Sequence, residues 1–251
     1  AWKFDVFKNN FPYEAVVTSK GVVLWEAKFF SHSSHIKGTV QARNRNGELQ
    51  LYTVPFLEGF LLKNKWFESL TFAEGLSFAT PFRSEDYTFI RDPQEEYFSE
   101  SSVFVYANEA LGFFRSLGYI WQEEKPMFLE SHSVLHGSVN NAVYIPAHAG
   151  RYGRAMIRIG KGDGEVLQNL TQDEDVVTHE FSHHVIYRTL KRATGESLQL
   201  HEGIADFFSF AKTDDSCLGE SICPDGSNVC YVENSCLRTA DQKLDLDSPG
   251  F

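Results

Sequence analysis

Apolar and polar positions change rhythm partway along the chain. Up to about residue 98, short aromatic and β-branched runs alternate with polar turn signals, a pattern of strands. Val16–Phe30, Gly38–Ala42 and Leu49–Val54 are the strand candidates, and Asn44-Arg-Asn-Gly47 between the last two is a hairpin-type turn. Residues 84–96 are polar and charged and read as a loop. In Phe104–Leu117 the spacing becomes helical, with Ala107, Leu111 and Phe114 on one side and Gly118 as a natural stop. Strands are expected again at Asn141–Ile145 and Ala155–Ile159. The turn Gly160-Lys-Gly-Asp-Gly164 follows; its glycine order is not that of a phosphate loop, so no nucleotide site is expected. Thr171-Gln-Asp-Glu174 reads as a capping box, and Asp173 and Asp175 place negative charge where the helix dipole favours it. The helix it opens is predicted to run through Val176, Val177, Phe181 and Val185 to about Leu190, stopping at Lys191–Gly195. A second helix over Leu198–Ala211 would bury Leu200, Ile204, Phe207 and Phe208. The chain is thus α+β, with a β-rich region over residues 1–98 and a region over 99–251 that carries the candidate chemistry.

Composition narrows the partners. Hydrophobic residues at 42% and charged residues at 23% are ordinary for a folded chain of 251 residues, which excludes general disorder. The 23 basic against 34 acidic residues give a net charge of −11, which argues against nucleic acid or an anionic membrane surface as the main partner. No apolar run approaches the roughly 18 residues a membrane span needs. Residue 1 is Ala and no charged-then-apolar leader follows it, so no targeting segment is expected within these residues. The 22 Phe residues point to an aromatic core.

All four cysteines, Cys217, Cys223, Cys230 and Cys236, fall in one Gly-, Ser-, Asp- and Asn-rich stretch. None shows the close spacing of a zinc ribbon, so a surface loop stapled by two disulfides is expected, with three connectivities open. Disulfides imply an oxidising compartment, and hence a secreted or periplasmic protein. Asn169-Leu-Thr171 is a glycosylation triplet, of a kind that also arises often by chance.

The residues that carry chemistry are His179-Glu-Phe-Ser-His183, inside the capped helix. Residues four apart on a helix lie about 6 Å apart along the axis and about 40° round it, so both imidazoles project from one face and can share a metal ion. Glu180, one step round, can reach a water beside that ion without ligating it, as a general base must. Glu202 on the next predicted helix offers a third ligand, and Asp206, one turn on, can accept the free N–H of a ligand histidine. Two His, one Glu and an open position describe a catalytic zinc site. His184 and His201 adjoin motif residues and are expected to pack against the site; His32, His35, His132, His136 and His148 are expected to be structural or exposed.

Asp175-Val-Val-Thr-His-Glu-Phe-Ser-His183, with Glu202 and Asp206, resembles the zinc site of the thermolysin-like and fungalysin-like metallopeptidases, the gluzincins. Asn141-Ala-Val-Tyr144 is similar to that family's peptide-binding edge strand, and Ile159–Gly164 to the strand and turn before its zinc helix. The resemblance implies a thermolysin-like N-terminal catalytic domain, with a β-rich mixed sheet and a long active-site helix. It further implies zinc on His179, His183 and Glu202, Glu180 as base, Asp206 orienting a histidine, and peptide held by strand addition at Asn141 and Ala142. Some members bind calcium at the position of Asp175, whose role as a first-turn helix charge stands beside that reading. The function implied is that of a secreted zinc peptidase acting on peptides or proteins. The spacing from His183 to Glu202 also matches zinc aminopeptidases of the leukotriene-hydrolase type, but their upstream Gly-x-Met-Glu-Asn signature is missing and Asp206 has no counterpart there. A non-catalytic zinc module is the rival from another class, against which an intact Glu180 speaks. In the resembled families a following helical domain supplies a histidine for the oxyanion. No histidine follows His201 here, and Tyr187 comes too early for the family's tyrosine. That helical domain is therefore expected to be absent, leaving a weak catalyst unless a second chain or domain completes the cleft.

Overall fold

The computed structural model describes residues 2–8, 11–17, 23–28, 36–72, 80–190, 196–230 and 236–241, the first three segments in their backbone alone. Strands β1 (Trp2–Lys8), β2 (Phe11–Val17) and β3 (Val23–Lys28) form an antiparallel sheet in that order. The single strand expected over Val16–Phe30 is therefore the end of one strand and the whole of another. The residues between them, along with His32, His35 and the expected helix end at Lys191–Gly195, lie outside the described residues.

In β4 (Lys37–Arg43) every second residue, Gly38, Val40 and Ala42, is buried, as a strand with one face on a core requires. The Asn44 side chain accepts the N–H groups of Asn46 and Glu48, and Gly47 takes a positive φ of 76°, closing the expected hairpin onto β5 (Leu49–Pro55). A third sheet begins with β6 (Phe67–Thr71). The segment expected as a loop carries β7 (Thr88–Phe89), which pairs in parallel with β4.

Helix α1 spans Glu96–Ser116, a full two turns longer at its start than the apolar spacing predicts. Its first turns bury polar residues, so they carry no apolar signal. Ser102 bonds back to the Phe98 carbonyl, and the Glu100 carboxylate receives the Phe82 N–H. From Phe98 to Ala107 the helix is buried all round, between the β4 and β6 sheets.

Strands β8 (Met127–Ser131), β9 (Ala142–Ile145) and β10 (Met156–Ile159) complete the third sheet in the order β6-β8-β10-β9. The first three run parallel, and β9 lies antiparallel at the edge. Buried Glu130 pairs with Arg158 at 3.0 Å and with Arg151, which ties the segment between β9 and β10 to the sheet. Gly162 holds φ +70° with its α-carbon against the Gln168 carbonyl, where any side chain would collide; the glycines here turn the chain toward the next helix.

Helix α2 (Glu174–Leu190) starts later than the capping box implies. Its cap is Asp173, whose Oδ1 accepts the N–H groups of Asp175 (3.0 Å) and Val176 (3.2 Å). Thr171 sits instead in a 3₁₀ turn capped by Asn169. Asn169 accepts the Thr171 N–H and hydroxyl and donates to Ser99, so the glycosylation triplet is consumed in this turn, with Thr171 fully buried.

Helix α3 (Glu196–Thr213) packs on α2, but Leu200 and Phe207 are exposed, contrary to expectation, and Ile204 and Phe208 are half-buried. The face turned to α2 is the row His201, Ala205 and Ser209; small residues allow the close approach, and Ser209 donates to the Asp175 carbonyl at 2.8 Å. The chain ends its described part in the stapled loop. Disulfides Cys217–Cys236 and Cys223–Cys230 are nested, and β11 (Cys217–Leu218) pairs antiparallel with β12 (Arg238–Thr239). No helix among the described residues is long and apolar enough to cross a membrane.

The architecture is α+β, and residues on both sides of position 98 feed one core. Phe181 lies at its centre, fully buried, with ring contacts to Phe67 (5.8 Å), Phe114 (5.7 Å) and Trp121 (6.5 Å). Replacing Phe181 by Ala is expected to cost about 3–5 kcal/mol of stability, read as a lower midpoint in urea unfolding.

Candidate metal centre

His179 and His183 lie one turn apart on α2 and turn the same way, as their spacing predicts. Their Nε2 atoms are 3.0 Å apart, and Glu202 from α3 brings Oε2 to 3.2 Å from the first and Oε1 to 3.4 Å from the second. Among the described residues this is the group of three whose ligand atoms converge, all within 4.8 Å of one another. On the far side of the ring, His179 Nδ1 faces Asp206 Oδ1 at 2.8 Å. A neutral His179 with its ring proton on Nδ1, facing Asp206, would turn an Nε2 lone pair toward the neighbouring Nε2. Two such lone pairs and a carboxylate meeting at one point is an arrangement a divalent cation satisfies, and the nitrogen–oxygen donor set suits zinc.

The electrostatics agree. Burial disfavours a charged His179, yet Asp206 and Glu202 outweigh it and hold the imidazole up at about 9. Hydrogen bonds from His179 and His183 keep Glu202 well below the usual carboxylate range, although burial opposes them. Without a cation, the cluster borrows a proton to offset its carboxylates. Glu180 behaves in the opposite way. It is 6% exposed, and burial lifts its carboxyl above the ordinary value against the pull of His179, His183 and the Tyr144 backbone N–H.

The three ligand candidates, Glu180 and the expected strand residues Asn141 and Ala142 all line one cleft of about 620 Å³. Asn141 is exposed, and its side chain accepts the Ala142 N–H. One wall is apolar, formed by Leu167, Leu170, Val176, Leu218 and Leu237. Arg238 was not singled out by the sequence. It enters the cleft from the stapled loop, 3.2 Å from Asp206 and 3.9 Å from Glu202, and is the only guanidinium or ammonium among the described residues lining it. Its one sequence-level signal was its place just beyond the last cysteine.

The remaining histidines sort as expected where they are described. His201 is buried and stacks on His183 at 5.9 Å. His184 points away from the cluster, between two tyrosines. His132 contacts Ser99, His136 is exposed, and exposed His148 meets Tyr187 at 3.1 Å.

Below the cap of α2 lies a second group of acids. Asp173 receives the Ser221 hydroxyl at 2.6 Å. Asp175 Oδ2 faces the Gly219 N–H, while its Oδ1 is buried with no hydrogen-bond partner among the described residues. Burial, then Asp173 and Glu220, push the Asp175 carboxyl far above the ordinary range.

No family model and no curated protein matches the sequence. Among solved structures, the precursor of protealysin, a metalloproteinase from Serratia proteamaculans, aligns over 63% of this chain at 18% identity and a TM-score of 0.46. The chain spans about half of that protein's length, 50%.

A carboxyl whose folded pKa is raised stabilises the fold at low pH and ceases to do so as the pH climbs past its ordinary value. In metal-free protein, Asp175→Asn should therefore gain on the parent chain as pH rises, by roughly 1–2 kcal/mol at pH 8. Urea midpoints of the two chains across pH 6–8 check this; parallel curves would refute it.

Proposed function

We propose that this chain is the zinc-binding catalytic part of a secreted peptidase, thermolysin-like in arrangement. The convergence of His179, His183 and Glu202 beside a buried Glu180, inside a cleft with an open strand edge, carries the reading. Zinc held by those three residues would supply a Lewis acid that polarises the scissile carbonyl and acidifies water. Glu180 takes the proton of the attacking water and delivers it to the departing amine. Asp206 holds His179 in the ligating tautomer. The edge of β9 at Asn141 and Ala142 receives an extended peptide by strand addition. The apolar wall fits a large apolar side chain of the substrate, and the Arg238 guanidinium donates to a substrate carbonyl. The two disulfides support an extracellular setting. Calcium belongs to the same reading at Asp173, Asp175 and Glu220, where the orphaned buried carboxylate oxygen is of the kind a hard cation satisfies. So does a further domain or chain completing the cleft, supported by the exposed Leu200 and Phe207 on α3.

Glu180→Gln is expected to keep zinc and lose peptide cleavage by about 10³-fold or more, because an amide cannot take the proton. Metal analysis with a peptide-library digest tests it, and near-parental turnover would remove Glu180 as base. Zinc uptake supplies a second check. His179 is held protonated up to about 9 and must be neutral to ligate, so binding at pH 7 should release close to one proton and tighten as pH rises. Calorimetry in buffers of different ionisation heat reads this directly; buffer-independent heats would contradict it.

A further inference from the structure

Tyr144, in the middle of β9, is held to α2 through its phenol, whose oxygen lies 3.1 Å from His184 Nδ1. Glu180, which lines the cleft with Tyr144, is one helical turn from His184, on the same side of α2. The other ring nitrogen, Nε2, is 2.8 Å from the phenol oxygen of Tyr119, which reaches in from the segment after α1. The ring between the two phenols is completely buried, against Trp121 at 5.3 Å and Phe181 at 5.6 Å. A neutral imidazole has one N–H and one lone pair. One phenol therefore donates to the ring and the other accepts from it, and both nitrogens are satisfied.

We propose that the Tyr119–His184–Tyr144 chain is the positioning device of the cleft, fixing the open edge of β9 against α2 so that peptide and Glu180 are held in register. The peptide role rests on the function proposed above. Backbone pairing fixes β9 to β10 on one side only; its other side is where a peptide would add, and pairing cannot set the spacing between that side and α2. The Tyr144 phenol spans this spacing. Tyr144 lines the cleft with Glu180, so a shift of Tyr144 moves the strand edge, and a peptide on it, relative to Glu180. His184 and the tyrosines are positioning residues; none of them need touch the substrate's reacting atoms.

Tyr144→Phe and Tyr119→Phe each remove one hydroxyl and keep the ring in place. Each should lower kcat/KM roughly fivefold to tenfold, mainly through KM, with zinc content and circular dichroism unchanged. The double variant should lose little more than either single, because both break one chain. Hydrogen exchange of the β9 amides in metal-free protein should quicken in both variants. Parental exchange at β9 in both would overturn the lock, as would parental KM in chains that cleave peptide. Exchange is read without turnover. A zinc-loaded parent chain that cleaves no peptide would defeat the peptidase reading, and exchange would still decide the lock.

Discussion

The rotation of α2 about its own axis is set by Phe181, and the whole cleft follows from that rotation. Phe181 lies two residues from His179 and two from His183, which places it on the opposite side of the helix from both. Its ring is seized by Phe67 of the sheet, Phe114 of α1 and Trp121 beyond it. Once that side is buried, the histidines have one direction left to face, toward α3. The His201, Ala205 and Ser209 row then lets α3 come close enough for Glu202 to reach both rings. Apolar packing on one side of a helix thereby fixes ligand geometry on the other.

Around the cluster, charges are arranged in layers. Glu202 and Asp206 act on the ligand rings, and Arg238 acts on Glu202 and Asp206. Each group limits the freedom of the next. Glu180 makes none of these ion pairs; it is buried beside them and lines the same cleft.

What could be read beforehand divides along the range of the interactions. His179, Glu180 and His183 were legible because helical spacing is local, and Glu202 and Asp206 because they lie one turn apart on the next predicted helix, which a short turn folds back on the first. The α2 cap was placed two residues early: Thr171 and Asp173 are both good caps, and only the 3₁₀ turn built by Asn169 decides between them. The start of α1 was hidden because Ser99, Glu100, Ser101 and Ser102 are buried polar residues, the first two paired with groups distant in sequence, such as Asn169 and the Phe82 N–H, and the last two bonded back within the helix. Leu200 and Phe207 misled for the converse reason, since an apolar residue carries no mark of which neighbour, if any, covers it. Arg238 and the contacts of His184 arise from long-range folding and have no local signature.

The nesting of the two disulfides has a further consequence. Arg238 stands two residues after Cys236, on a strand that pairs with Cys217 itself. The outer bridge is thus a covalent tether on the cleft's guanidinium, closing a 19-residue span, whereas the inner bridge only trims a loop. A reducing environment would leave the three metal ligands on their helices untouched and still loosen the cation that faces them. Thiol–disulfide chemistry at a remote loop and the electrostatics of the centre are in this way mechanically joined.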